Sequence, residues 1–356
     1  MHAGSGDSLA ERDDVRDLAA QLPGETAGAM TINVRVTLDA MRAQMAAGDP
    51  AIGDMLDQSL QSVPDMVVSA LSFEDDAIRV ETATNLPDGG VVPANAERDL
   101  AASVPSDAIF FADASNVGAS LSASLAAARD QLEGGGASGE LNELQQVEAA
   151  LGGRLDELVN WIGGGAVAAG WDGEQPYVGL VLEVTDAEAA DERLRQLQNL
   201  LSLATMDPSA EVAVSTETVA GVEVTSIRFT TMTPTIASDA GEMEAVIQYA
   251  MSGDQLLIGA GDRFVSRSLQ LASGESLADD ARFQAAVERF GGSDNAGAFY
   301  LDLVGLRSAV ETAAGAMLPA EYATEVAPYL EPLDYLAGVN RLESGAMLAR
   351  YGLVLR

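Results

Sequence analysis

Neighbouring strand-like runs joined by tight turns dominate this sequence and commit it to antiparallel pairing. Ala166–Trp171 and Tyr177–Val184 flank Asp172-Gly173-Glu174-Gln175-Pro176. Asp-Gly between apolar runs is a strong hairpin signal. Val212–Ser215 and Val222–Phe229 flank Ala220-Gly221; Ala245–Met251 and Gln255–Ile258 flank Ser252-Gly253-Asp254. Parallel strands would need a crossover of roughly a dozen residues, and these connections are too short. Helical stretches separate the strand groups. The expected class is α+β, with antiparallel sheets covered by helices on one face.

Three segments share one order, a short strand, helical sequence, then two strands. The first opens with Met30–Val36, continues through helical Leu38–Met45 and Ile52–Leu60, and closes with Met66–Phe73 and Ala77–Thr84 around Glu74-Asp75-Asp76. The second opens with Ala108–Ala112. Its helices run over Val117–Leu132 and Glu140–Trp161 around Gly134-Gly135-Gly136, and it closes with the Asp172-Gly173 hairpin. The third opens with Ala298–Leu303, carries helices over Leu306–Met317 and Tyr322–Leu336, and closes with Val339–Leu342 and Ala346–Leu355. A β-α-α-β-β unit used three times is the organisation expected.

Between the second and third segments lies a different block. Ala187–Leu203 reads as an amphipathic helix with Leu194, Leu197, Leu200, Leu201 and Leu203 on its apolar side. After the two hairpins, helices are expected over Arg263–Leu271 and Ala278–Phe290, the latter led by Ser276 with Asp279 in capping-box spacing. Pro87–Asn95 breaks periodicity and marks a boundary. The division expected is a flexible leader over 1–22, a first unit over 23–95 and a main domain over 96–356.

Composition removes most catalytic chemistry. All 19 basic residues are arginine, no Cys is present, and the one histidine is His2, in a start that reads as processing residue. Histidine-based general-base catalysis, zincin sites, Schiff bases and Walker-A phosphate binding all lack their residues. Cysteine-ligated zinc, a cysteine nucleophile and disulfides are excluded too. A formal net charge of −36 repels nucleic acid and anionic headgroups. A GC-rich genome favours Ala, Gly and Arg codons over Lys, and adaptation to high salt also removes Lys and adds carboxylates; both readings fit this chain. The apolar fraction of 47% supports a real core. No run of about 18 apolar residues is present to span a membrane.

Carboxylate chemistry survives this filter. Among 55 acidic residues some pair always lies within glycosidase distance, so the signal is nearly empty. Trp161 and Trp171 could form sugar platforms, but they flank Gly163-Gly164-Gly165 and read as core packing. Those glycines, and Gly259-Ala260-Gly261, read as turns or helix caps rather than a dinucleotide loop. Glu74-Asp75-Asp76 and Asp279-Asp280 read as a hairpin tip and a helix start rather than a calcium site. Met30, Met41, Met45, Met55 and Met66 would suit an apolar ligand or ordinary core filling. No catalytic, cofactor or metal residue is assigned.

Several stretches resemble a bacterial family known as domain of unknown function 3352. Val104-Pro105-Ser106-Asp107-Ala108-Ile109-Phe110-Phe111-Ala112-Asp113 is similar to its strand opening. Leu180–Ala187 resembles its strand-then-Asp-Ala-helix step. Tyr249–Ala260 and Glu275–Phe283 resemble its later hairpin and its Ser-Leu-Ala-Asp helix start, and Phe299–Leu306 and Arg350–Leu355 its end. The resemblance covers about Ser103–Arg356. It implies an extracytoplasmic domain behind a membrane anchor that this chain does not contain, and it brings no activity or site residues. The expected function is non-enzymatic binding or surface organisation, without cofactor or nucleic acid and with an unknown protein or apolar partner. The alternative is a carrier for lipid in an enclosed apolar cavity between sheet and helices.

Overall fold

A computed structural model describes residues 12–39, 63–86, 91–134, 138–204, 212–232, 242–319 and 321–356. The expected helices over Leu38–Met45 and Ile52–Leu60 fall almost wholly outside these residues, as do His2, Met41, Met45 and Met55. The class is α+β, and the thirteen strands among the described residues pair antiparallel. They divide between two compact units, residues 1–97 with 285–356, and residues 98–284.

In the first unit, strands β1 (Gly28–Asn33), β2 (Met66–Phe73) and β3 (Ala77–Asn85) are joined by β11 (Gly297–Asp302), β12 (Leu333–Glu343) and β13 (Ala346–Leu355). Their order is β1-β2-β3-β13-β12-β11. The β3–β13 pair sets Val80 opposite Tyr351. This ladder ties the carboxy-terminal stretch to the amino-terminal one, which local signals had assigned to separate domains. Residues read as a flexible leader also take part. Asp13–Ala19 is a helix whose Val15 and Leu18 are buried with Met66, Val68, Ala83 and Leu348. The helix expected over Tyr322–Leu336 stops at Leu330, and β12 starts at Leu333. Pro332 accounts for the change, since it cannot continue a helix.

Four arginines of this unit form one alternating chain with carboxylates. It runs Asp76–Arg289–Glu74–Arg79–Glu81–Arg350–Glu343–Arg341–Asp294, each link at 4.0 Å or less. Arg79 also lies over the Phe290 ring, 5.5 Å from its centroid. Planar guanidinium groups suit this bridging and stacking.

The second unit holds β4 (Ala108–Ala114), β5 (Ile162–Trp171), β6 (Pro176–Val184), β7 (Val212–Val219), β8 (Val222–Met232), β9 (Glu242–Ser252) and β10 (Gln255–Ala260). Their order is β4-β5-β6-β10-β9-β8-β7. All three expected hairpins form. Helices cover both faces of this sheet, not one. Phe264, opening the helix Phe264–Leu269, lies over Gly179 of β6. On the opposite face Leu182 and Val184 pack with Ala190 of the helix Ala187–Ala204. The reason is legible in β6 itself. Tyr177, Val181, Leu182 and Val184 are buried and point to alternate faces, as a strand covered on both sides requires. The three glycines read as a turn, Gly163–Gly165, lie inside β5. A side chain at Gly164 would crowd Ala114 O and Glu183.

The β5–β6 turn carries a pH-sensitive cap. Asp172 accepts backbone hydrogen bonds from Gln175 at 2.8 Å and Glu174 at 2.9 Å, and pairs with Arg263. The turn amides first, and Arg263 with them, hold its carboxyl down to about 2. A depressed folded-state value contributes stability above the ordinary carboxylate range, lost as pH falls through 2. Asp172→Asn is expected to cost about 1 kcal/mol at pH 7 after solvent screening. The cost should shrink between about pH 4 and pH 2, as read by urea midpoints across that range. A pH-independent cost would show that the carboxylate charge is not what the turn uses.

Candidate functional site

The helix Ala187–Ala204 starts where Asp186 Oδ1 accepts from Ala189 N at 3.0 Å. Its Ala190, Leu194 and Leu201 pack over the sheet against Leu182, Leu256 and Ile227. Leu197, which periodicity placed on the apolar side, is exposed. Where the helix passes β8 and β9, the two surfaces part and leave a groove of about 300 Å³, open to solvent. Leu194, Ala250 and Met251 give it an apolar wall. Gln198 Nε2 donates to Thr225 Oγ1 across the groove at 3.4 Å.

Two features mark this groove chemically. Tyr249 is 7% exposed, and its hydroxyl has no hydrogen-bond partner among the described residues. A buried hydroxyl left unmatched is costly. At the rim, Asp191 and Glu223 carry carboxylates that make no ion pair among the described residues. Arg195 turns back along its own helix, donating from Nε to Asp191 O at 3.1 Å. The groove therefore offers negative charge beside an apolar wall. It differs from the enclosed apolar cavity expected of a lipid carrier, since it is open and five of its nine lining residues are charged or amide- or hydroxyl-bearing aliphatics. Sequence periodicity located the helix but not the groove. The available signal was Thr225 and Tyr249, hydroxyl-bearing residues set opposite each other on β8 and β9.

A second cluster lies around Asp107, Tyr177 and Arg267. The Tyr177 hydroxyl donates to Asp107 Oδ1 at 2.7 Å, and Arg267 Nη2 donates to Asp107 Oδ2 at 2.7 Å. The guanidinium sits 4.9 Å above the Tyr177 ring. Asp107 and Arg267 border a cleft of about 400 Å³ that also holds Ser106, Gln270 and Glu275. Burial, then the Asp107 carboxylate, pushes the Tyr177 hydroxyl well above its ordinary range. Burial opposes the charge of Arg267, but Asp107 outweighs it and holds that value up. Tyr177 is thus fixed as a neutral donor, with Asp107 as its acceptor. Proton transfer at neutral pH needs a group titrating near the working pH, and the Tyr177 hydroxyl is held far above it. The cluster clamps the start of β4, the β5–β6 hairpin and the helix Phe264–Leu269 together.

The other residues considered from sequence are placed as follows. Trp161 is buried, its Nε1 donating to Leu158 O at 2.6 Å. Trp171 ends β5, with Nε1 buried and unpartnered among the described residues. Glu74 and Asp76 hold Arg289. Asp279 accepts from Ser276 N at 3.4 Å and Ser276 Oγ at 2.5 Å, the expected capping box. Among the described residues no cluster of three His, Asp or Glu is arranged to hold a metal ion. No helix among them is long and apolar enough to cross a membrane.

Residues 3–348 match the family described as "Protein of unknown function (DUF3352)". No curated protein matches the chain. Two solved structures, crystal forms III and IV of TP0453, align with 71% of it at 11% and 12% identity, over 78% and 79% of their own chains. Their TM-scores are 0.30 and 0.29, too low to support any argument about this chain.

Proposed function

This chain belongs to the DUF3352 family of proteins of unknown function, and from that premise we propose that it is a non-enzymatic binding or surface-organisation domain, tethered outside the cytoplasm in its native setting. The observation that carries the reading is the groove between the helix Ala187–Ala204 and strands β8 and β9. Its apolar wall, its unmatched Tyr249 hydroxyl and its unpaired Asp191 and Glu223 suit a short amphiphile with a cationic or neutral head. Such a mix of apolar lining and few polar groups is the usual character of a ligand site. Carriage of a lipid or other apolar ligand draws support from Leu194, Ala250 and Met251, but a groove this polar favours the amphiphile over a long buried chain.

The non-enzymatic part rests on the missing side chains and on the Tyr177 hydroxyl being held as a neutral donor. Aryl glycosides and short-chain esters are expected to show no turnover above buffer. Turnover abolished by one carboxylate substitution, Asp107→Asn among them, would overturn the reading.

We also read the β-α-α-β-β order as a repeated unit. Hairpins β5–β6 and β12–β13 each set a tyrosine directly opposite a glycine, Tyr177 with Gly170 and Tyr351 with Gly338. In both, the ring occupies the space that a glycine side chain would need. That shared device supports a common ancestor for the two hairpins.

A further inference from the structure

The helix Leu303–Ala314 is rich in apolar residues, yet none of its twelve residues is buried. Leu306 is exposed, and Val310, one turn later, is 47% exposed. The following chain continues the pattern. Met317 is 82% exposed, Tyr329 is 78% exposed, and Val326 also faces solvent. The Tyr322 hydroxyl donates to Glu311 Oε1 at 2.9 Å and folds this later segment back against the helix. Scattered exposed apolar residues are ordinary. Five such residues, two on the helix and three on the segment that Tyr322 folds back against it, are a concentration of the kind that marks an interaction site.

The charge around the patch selects its partner. From Leu303 to Glu331 the only basic residue is Arg307, against Glu311, Glu321, Glu325 and Glu331. Arg307 is already engaged by Glu311 at 3.9 Å. Glu321, Glu325 and Glu331 are exposed. A second copy of the chain would bring another net charge of −36 to this surface, and anionic lipid would be repelled in the same way.

We propose that this patch docks a basic amphipathic helical segment of a protein partner. Apolar residues of the segment at i, i+3 and i+4 spacing meet Leu306, Val310 and Tyr329, and its cations meet Glu321, Glu325 and Glu331. The site is separate from the groove beside Tyr249.

The test titrates the full chain with an amphipathic lysine–leucine peptide about five helical turns long, by calorimetry at two salt concentrations. A glutamate–leucine peptide of the same pattern and vesicles of neutral phosphatidylcholine serve as comparisons. Saturable one-to-one binding of the lysine peptide, weakened by salt, is expected. Leu306→Glu with Val310→Glu should weaken it about tenfold or more, the effect of losing central apolar anchors. Those substitutions add negative charge, so attraction by charge alone would instead strengthen binding. Tyr329→Ala, at a side chain too exposed to affect folding, should weaken it in the same direction. Unchanged or tighter peptide binding in these variants overturns the proposal. Equal binding of the glutamate peptide, or vesicle binding without peptide binding, overturns it as well.

Discussion

Gly179→Ala is expected to destabilise the protein by about 3 kcal/mol, at the upper end of what overpacking costs. Gly179 lies in β6, directly beneath the ring of Phe264, and an added Cβ would sit inside that ring. Phe264 is fully buried, so it has nowhere to move. Gly259, the partner of Gly179 in β10, is also close to Phe264. Two adjacent glycines thus make the floor on which the helix Phe264–Leu269 rests. The measurement is the urea midpoint of the variant against wild type. Gly28→Ala in β1 is the control, because a Cβ there meets nothing within 4 Å. It should stay within about 0.5 kcal/mol of wild type. Phe264→Ala should make the Gly179 substitution cheaper in the double variant, since the two residues share one space. A Gly179→Ala cost equal to that of Gly28→Ala would place Phe264 elsewhere.

Asp113→Ala is expected to cost about 3–5 kcal/mol, the range for removing one partner of a buried ion pair. Asp113 Oδ2 and Oδ1 accept from Arg98 Nε at 3.1 Å and Nη2 at 3.2 Å, a bidentate pair. Both side chains are nearly buried, at 4% and 8% exposure. The Arg98 stem also packs beside Gly164 in β5. Losing the carboxylate removes the bidentate anion from a guanidinium that has little access to water. The paired substitution Arg98→Met with Asp113→Leu should recover much of the loss, because it removes both charges. Thermal and urea unfolding of the single and double variants check this. A single variant as stable as wild type would mean that water reaches Arg98 readily.

These two sites show why parts of the architecture were readable and parts were not. Hairpins were legible because their signals are local, as at Asp172-Gly173 and Ala220-Gly221. Ser276 and Asp279 announced a capping box three residues apart. The pairing of β3 with β13 was not legible, since Val80 and Tyr351 are far apart in sequence and meet only through tertiary structure. Helices on both faces of β6 were missed because the two-sided burial of Tyr177–Val184 was read as a plain hairpin arm. Gly163–Gly165 were misread because glycine signals a turn and a close approach equally well. The groove was hidden for a related reason. Composition reports that carboxylates are abundant, but not which of them, like Asp191 and Glu223, stand unpaired beside an apolar wall.

The claim that this wall forms a ligand groove is tested most directly by titrating the full chain with decylamine and with decanoate while following backbone amide shifts by NMR. The account predicts saturable decylamine binding, with shifts centred on Leu194, Thr225 and Met251, and weaker decanoate binding because Asp191 and Glu223 repel it. Met251→Trp, which fills the groove, should abolish the decylamine shifts while the remaining spectrum keeps its folded dispersion. Decylamine shifts that are absent, scattered over the acidic surface, or unchanged by Met251→Trp would contradict it.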